Sequence, residues 1–455
     1  MSLKPLVFVA MPFGVKESDR IAIDFDSIYS NGIKPSISES NKNLDIIRAD
    51  EERMGGFIHG PMYERLLLSE IVIADLTLAN ANVFYELGIR HCAKPKSTIL
   101  IFSHDTRLPF DVSPLRAIPY TLEDGELKKE NAQQLKEEIQ KRINEALEDE
   151  SAKDSPLFQF IKDFPGVNLT PDQTESFHSR LFHIDGIREK LKLSRIKPKL
   201  EAISEIKAIE DELGDFQVAS HEILLDLLLS YRDIESWEDM IRVVEYFPSS
   251  IKESIQIQEQ LALALNRRNQ DNDRERAISM LDSVISQFGP SSETLGILGR
   301  IYKDKFVEMD KLKGRERAKG PLKKAIRTYK EGFITDPRDY YPGINALTLM
   351  LVENSDQSKE DFKKLEPLVE FAIERQGGGQ SKSYWVQATA LELAILKQDW
   401  NTATENLGEI MSDNHSLMKR KTTANNFEFI LEQYKSQGIS TVRLEEIILE
   451  LKEEA

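Results

Sequence analysis

The chain of 455 residues is expected to fold as an α/β domain built on a parallel sheet, followed by an all-α array of stacked helix pairs. Three observations carry that expectation. Up to about residue 150, short β-branched runs alternate with amphipathic segments. From about residue 200 the strand-like runs stop and every segment reads at helical period. Within that second half, small and large residues recur in a repeating order.

The first strand is Leu6–Ala10, LVFVA, a continuous apolar run of the kind buried on both faces. With Lys4 in front it imitates the start of a secretory signal. No small-residue cleavage site follows, however, and the run passes straight into PFG, so a strand is the better reading. Further strand-like runs lie at 44–48, Ile71–Asp75, 98–102 and, more weakly, 117–120. Helical patterns fill 25–38, 57–69 and 83–93, and a charged helix at 128–147 closes the unit. This βαβ series predicts a flavodoxin-like domain over residues 1–150, with ligands bound beyond the carboxyl ends of its strands. Residues 151–199, with Pro156, Pro165, Gly166 and Pro171, read as a connector or helical adaptor.

Residues 200–455 predict a TPR-like helical solenoid. Leu295, Leu298, Gly299 and Tyr302 fit the first helix of a TPR unit, and Ala325, Tyr329, Gly332 and Pro337 fit the second. A basic insertion, roughly 304–320, separates them. Weaker copies are Leu224, Leu227 and Tyr231 with Met240, Val244 and Phe247; Ala277, Leu281 and Val284; and Ala403, Leu407 and Ile410. The small residues belong where the two helices of a pair approach closely, and the large ones fill the gaps between pairs.

A formal charge of −17 repels a polyphosphate backbone and sets nucleic acid aside as a main partner. The single Cys92 allows no internal disulfide, and the seven histidines show no HExxH spacing, so no metal site is expected and a reducing cytoplasm fits best. The apolar stretch 223–229, broken by Asp226, falls far short of a membrane span.

Three stretches are candidates for chemistry. In VFVAMPFG the strand runs into Pro12, Phe13 and Gly14, where the glycine permits close approach and the Phe13 ring can cover a base or ribose; an ordinary strand-to-loop transition reads the same way. In IVIADLTLANANVFYELG, Asp75 ends a strand and is expected to emerge at the sheet's carboxyl edge, within reach of ribose hydroxyls. Asn80 or Asn82 then caps a helix carrying Glu86, placed to stabilise or attack an oxocarbenium-like C1. Thr77, Asn80, Asn82 and Tyr85 are further candidate substrate contacts. The dipole also favours acids near helix starts, and Asp75 fits a simple cap equally well. In RADEERMGG, Gly55 and Gly56 before a helix offer N–H groups to a phosphate beside Arg53, although a lone glycine pair is a weak sign. His59, His91 and Cys92 read as surface or packing residues. The basic stretch 311–324 reads as a solvated face, with an acidic partner or phosphate as the alternative.

Taken in order, VFVAMPFG, RADEERMGG, IVIADLT and NANVFYELGIRH resemble the TIR-like and nucleoside 2-deoxyribosyltransferase-like superfamily. The resemblance implies that Glu86 is catalytic for cleaving or exchanging the N-glycosidic bond of NAD or a nucleoside. It also implies that Asp75, Asn82 and the Phe13–Gly14 loop hold ribose and phosphates. No cofactor is implied beyond NAD or a nucleotide as substrate or ligand. From about residue 6 to about residue 430 the chain is also similar to bacterial proteins carrying a MAP kinase kinase kinase TRAFs-binding domain, through LFQF, YKDKF and YYPGINALTLM. The arrangement resembles the regulatory half of the apoptosis signal-regulating kinases, without a following kinase domain. This implies a signalling or conflict-response protein, as in antiphage defence, whose helical half binds a protein partner or self-associates. Two functions stay open. One is a NADase-like N-glycosidic hydrolase, with deoxyribosyl transfer as third choice. The other is a non-catalytic nucleotide- or protein-binding regulatory scaffold, the role the domain keeps in the kinase relatives.

Overall fold

The computed structural model describes residues 5–17, 22–40, 42–48, 59–104, 106–148, 153–161, 164, 183–184, 186–381, 383–412 and 417–453. The chain divides into two compact units, Met1–Ile234 and Glu235–Ala455.

The first unit is built on a five-stranded parallel sheet of order β4-β1-β5-β6-β7, formed by β1 (Leu6–Ala10), β4 (Asp45–Arg48), β5 (Ile71–Asp75), β6 (Thr98–Ser103) and β7 (Ile118–Tyr120). In register, Val7 lies opposite Ile71, Val72 opposite Thr98, and Ile101 opposite Ile118. Side chains alternate across a strand, and here each set meets a core. Val7, Val9, Ile71, Ile73, Ile99 and Ile101 join one cluster with Ile33, Leu135 and Ile139. Phe8, Ala10, Val72, Ala74 and Leu100 join the other, with Met62, Leu66, Val83 and Leu87. A strand covered on both faces has no place for polar residues, hence the unbroken β-branched runs. Each buried aliphatic side chain contributes about 1.5–3 kcal/mol.

Two features depart from the sequence reading. A short antiparallel hairpin, β2 (Val15–Glu17) with β3 (Ala22–Asp24), precedes the first helical segment. That segment, expected as one helix, is split into α1 (Phe25–Ile28), a π turn (Tyr29–Ile33) and α2 (Lys34–Ser38). Pro35 brings no N–H to the helical ladder, and the wider turn absorbs the loss. The remaining helices of the sheet layers are α3 (His59–Leu68), α4 (Ala81–Ala93) and α5 (Ala132–Glu148).

Part of the expected connector is helical, in α6 (Pro156–Phe160) and α7 (186–195), while Pro165, Gly166 and Pro171 lie outside the described residues. The first unit also holds α8 (Lys199–Leu213) and α9 (His221–Asp233). Asp226 interrupts the apolar face of α9 because it is partnered: Arg188 of α7 reaches it at 2.6 Å, and Arg195 hydrogen-bonds Ser230 at 2.9 Å.

The second unit is all helical among its described residues. After α10 (Trp237–Glu245) and α11 (Ser249–Lys252) come five packed pairs. They are α12 (Ile255–Arg268) with α13 (Asp273–Phe288), α14 (Ser292–Lys313) with α15 (Arg315–Thr335), α16 (Tyr340–Glu353) with α17 (Asp356–Glu374), α18 (Tyr384–Lys397) with α19 (Trp400–Ser412), and α20 (Leu417–Gln437) with α21 (Val442–Lys452). First members also touch one another, α12 to α14, α14 to α16 and α16 to α18. Side-chain caps start several of these helices: Ser254 on Ile257 N–H, Ser291 on Thr294 N–H, and Asp339 on Tyr341 N–H. Gly299 allows α14 and α15 to approach closely, since a Cβ there would lie 2.8 Å from the Tyr329 ring. The basic insertion is not a loop. It lengthens α14 and α15, which turn at Gly314 (φ 80°), and it buries Phe306, Ala318 and Leu322 while its lysines face out. Among the described residues no helix is long and apolar enough to cross a membrane.

Candidate functional site at the carboxyl edge of the sheet

The chain leaves β1 through buried Met11 and Pro12, exposes Phe13, and turns at Gly14 in the left-handed region (φ 63°). Gly14 N–H donates to the Asp26 carboxylate at 3.3 Å and its carbonyl accepts from Phe25 N–H at 3.1 Å. Asp26 is also paired with Arg48, at the end of β4, at 2.9 Å, and that guanidinium lies 4.3 Å from the Tyr29 ring. Lys16 stands 4.8 Å over the Phe13 ring. Arg48 was missed in the sequence, where it reads only as the last residue of a strand.

Asp75 ends β5 as expected, but its carboxylate does not emerge. It is fully buried; Thr77 N–H donates to one oxygen at 3.0 Å and the Tyr120 hydroxyl to the other at 2.9 Å. Thr77 Oγ1 in turn lies 2.8 Å from the Tyr120 hydroxyl and accepts from Ser103 N–H at 2.8 Å. Burial lifts the Asp75 carboxyl to about 6 against the pull of these hydrogen bonds. The expectation of Asp75 reaching toward ribose is corrected accordingly: Asp75 and Thr77 tie together the ends of β5, β6 and β7.

Beyond them, Leu78 (φ 63°) and Ala79 (φ 49°) are consecutive left-handed residues with side chains, a strained approach to α4 costing on the order of 1–2 kcal/mol each. Asn80, rather than Asn82, is the cap; its side chain accepts from Asn82 N–H at 3.0 Å and Val83 N–H at 3.4 Å. Asn82 and Tyr85 are exposed, and the Tyr85 hydroxyl lies 3.0 Å from that of Tyr63 on α3.

Glu86 sits in the second turn of α4, 8% exposed, with no hydrogen-bond or ion-pair partner among the described residues. Burial alone raises its carboxyl to about 7. One turn on, the fully buried Arg90 donates to four carbonyls, those of Leu66 and Ser69 at 2.9 Å and of Glu70 and Ser97 at 3.2 Å. Burial lowers its pKa to about 10, so it remains charged at neutral pH and fixes α4 against α3 and the starts of β5 and β6. His91 is pushed down to about 4 by burial and by Arg90, which leaves it neutral and a poor base near pH 7. Cys92 is exposed and free. Arg53, Gly55 and Gly56 lie outside the described residues, as does the side chain of His59. No metal-ligating cluster occurs among the described residues.

This edge therefore offers one protonatable group poised near neutrality, a strained helix start, and an exposed aromatic on a pinned loop. Such a carboxyl can give or take a proton at neutral pH or lie against a developing positive charge.

A parallel-sheet unit followed by a unit of paired helices makes this a two-part protein. Residues 83–450 match the family described as the MAP3K TRAFs-binding domain, and the chain belongs to that family. It is similar to mitogen-activated protein kinase kinase kinase 15 of Mus musculus, 27% identical over 212 residues that cover 45% of this chain and 16% of that protein. It is also similar to the kinase nsy-1 of Caenorhabditis elegans, 28% identical over 245 residues, 50% of this chain and 16% of that protein. A third relative is mitogen-activated protein kinase kinase kinase 6 of Homo sapiens, 31% identical over 166 residues, 35% of this chain and 12% of that protein. The chain thus matches only 12–16% of the length of these relatives. The match opens inside α4, so it includes Glu86 but neither the Pro12–Gly14 loop nor Asp75, Thr77, Asn80 and Asn82.

Proposed function

We propose that this chain is a regulatory signalling scaffold: a TPR-like helical solenoid that docks a protein partner, joined to a TIR-like, deoxyribosyltransferase-like domain that binds a nucleotide without turning it over. The observation that carries the reading is family membership across residues 83–450, which takes in the whole series of helix pairs. The partner class is the one the family's description names, a TRAF protein, with a second copy of the chain as the other occupant. The proposed domains are 1–150 for the nucleotide-binding part, 151–199 for an adaptor and 200–455 for the docking array, working in the cytoplasm. Sedimentation of the full chain mixed with a TRAF protein tests this. A faster-moving complex is expected, and independent sedimentation of the two at about 10 μM counts against partner docking.

One observation favours a second reading, that of an N-glycosidic hydrolase: the solitary Glu86. A buried carboxyl with no partner weakens the fold and is retained where it does work. In this reading the Glu86 carboxylate faces C1 of ribose as the C1–N bond breaks, the base leaves with the bonding pair, and water adds to C1 as it gives up a proton to Glu86. Phe13, Gly14, Asn82 and Tyr85 would contact base and sugar, Arg53, Gly55 and Gly56 the phosphates. Asp75, Thr77, Pro12 and Asn80 would hold the edge in shape. Release of nicotinamide from NAD, or of base from nucleotides, by concentrated protein and its loss in Glu86→Gln would establish this reading over the first.

A further inference from the structure

The opposite, amino-terminal edge of the same sheet carries a second cleft. Its volume is about 560 Å³, within the range of small-molecule sites. It is walled by the start of β6, residues 114–116 leading into β7, the last turns of α5, and residues 153–159.

The charges lining it run against the rest of the chain. Lys96, Arg116, Arg142 and Lys153 line the cleft with only Glu145 and Asp154 to oppose them, in a protein with 77 acidic and 60 basic residues. Arg116 and Lys153 are exposed and make no ion pair among the described residues. The ion pair of Arg142 with Glu145 is long, at 3.8 Å. Asp154 is committed to the fold by one oxygen, which accepts from Thr98 N–H at 3.0 Å, while its other oxygen is enclosed with no hydrogen-bond partner. Like charges gathered around a cavity repel one another, and an anion placed among them relieves that repulsion. Arginine forks suit phosphate oxygens in particular. Beside them the lining is apolar at Pro114 and Leu115, which are open to a ring.

We propose that this cleft binds an organic phosphate of nucleotide size, its phosphates on Arg116, Arg142 and Lys153 and its ring on Pro114 and Leu115. The ligand bridges α5, the start of β7 and the segment that runs into α6, so its binding stiffens the exit from the sheet toward the helices that follow. The site is separate from the Glu86 edge and stands whether or not that edge binds a nucleotide.

Calorimetric titration of the full chain with ADP, pyrophosphate and inorganic phosphate tests the proposal, using wild type, the double variant Arg116→Glu with Lys153→Glu, and Glu86→Gln. Both reversed residues are exposed, so the fold is expected to survive, and circular dichroism checks it. Saturable ADP binding is expected, at least about tenfold weaker in the double variant and weaker as salt rises, and still present in Glu86→Gln. Absence of saturable heat with all three probes, or affinity unaltered in the double variant, overturns the site. Loss of ADP binding in Glu86→Gln also overturns it, by moving the ligand to the other edge. Pyrophosphate binding as tightly as ADP removes the role given to the ring wall.

Discussion

The helical unit and the carboxyl edge of the sheet treat buried polar groups in opposite ways. In the helical unit several such groups are paired from one first helix to the next. Thr294 of α14 donates to Glu259 of α12 at 2.5 Å, Asn266 of α12 to Asp304 of α14 at 2.8 Å, Lys303 of α14 to Asn345 of α16 at 3.0 Å, and Thr348 of α16 to Glu392 of α18 at 2.7 Å. Even Lys303, lowered to about 8 by burial and by Arg300, has Asn345 as acceptor and the charges of Glu392 and Asp304 nearby. At the sheet edge Asp75 is treated the same way, but Glu86, also buried, has no partner among the described residues. Pairing is how a fold tolerates polar groups in its interior; a carboxyl left alone costs stability and points to use. The comparison separates Asp75, which holds the edge together, from Glu86, which does not.

The largest effect is expected where the Glu86 helix is anchored. Arg90→Met strands four carbonyls and should lower the unfolding free energy in urea by about 3–5 kcal/mol. Next is Glu86→Gln, whose effect depends on pH. The folded carboxyl titrates near 7 and the unfolded one near 4.5, so the folded state holds a proton that the unfolded chain releases between those values. Stability is therefore lost as pH rises through that window, on the order of 3 kcal/mol in all. Glutamine carries no such loss: the variant should gain that amount at pH 8 and little at pH 5 by denaturant titration. Equal effects at both pH values would contradict a Glu86 carboxyl raised by burial. Tyr120→Phe removes a donor from Asp75 and should cost about 1–2 kcal/mol, more above pH 6, where the carboxyl is charged. Smallest is Thr348→Val on the helical seam, about 1 kcal/mol by the same measurement, since Glu392 loses one hydrogen bond.

What was legible in the sequence follows from what each signal depends on. β1 and β5 were found with their full bounds because burial on two faces writes itself as an unbroken apolar run. The Asn80 cap and the close contact at Gly299 are local or repeat-borne signals and were legible too. The hairpin of β2 and β3 was not, since three residues per strand are too few for a period of two to register. Arg90 looked like one more charge on an amphipathic helix. Its partners are main-chain carbonyls, which leave no trace in residue identity. Tyr120 reaches Asp75 from 45 positions away, so the carboxylate expected to face a ligand was already occupied by a contact no local pattern reveals. The insertion after Asp304 read as an interruption because its basic face masked the stripe of Ala318 and Leu322 that continues the helix.

The central claim, a docking scaffold whose isolated acid is not needed for partner assembly, is tested most directly by calorimetric titration of a TRAF protein into the full chain and into Glu86→Gln. Saturable binding with the same affinity in both is the expected result. No binding by either protein at about 10 μM, or binding that disappears with the Glu86 carboxylate, would contradict it.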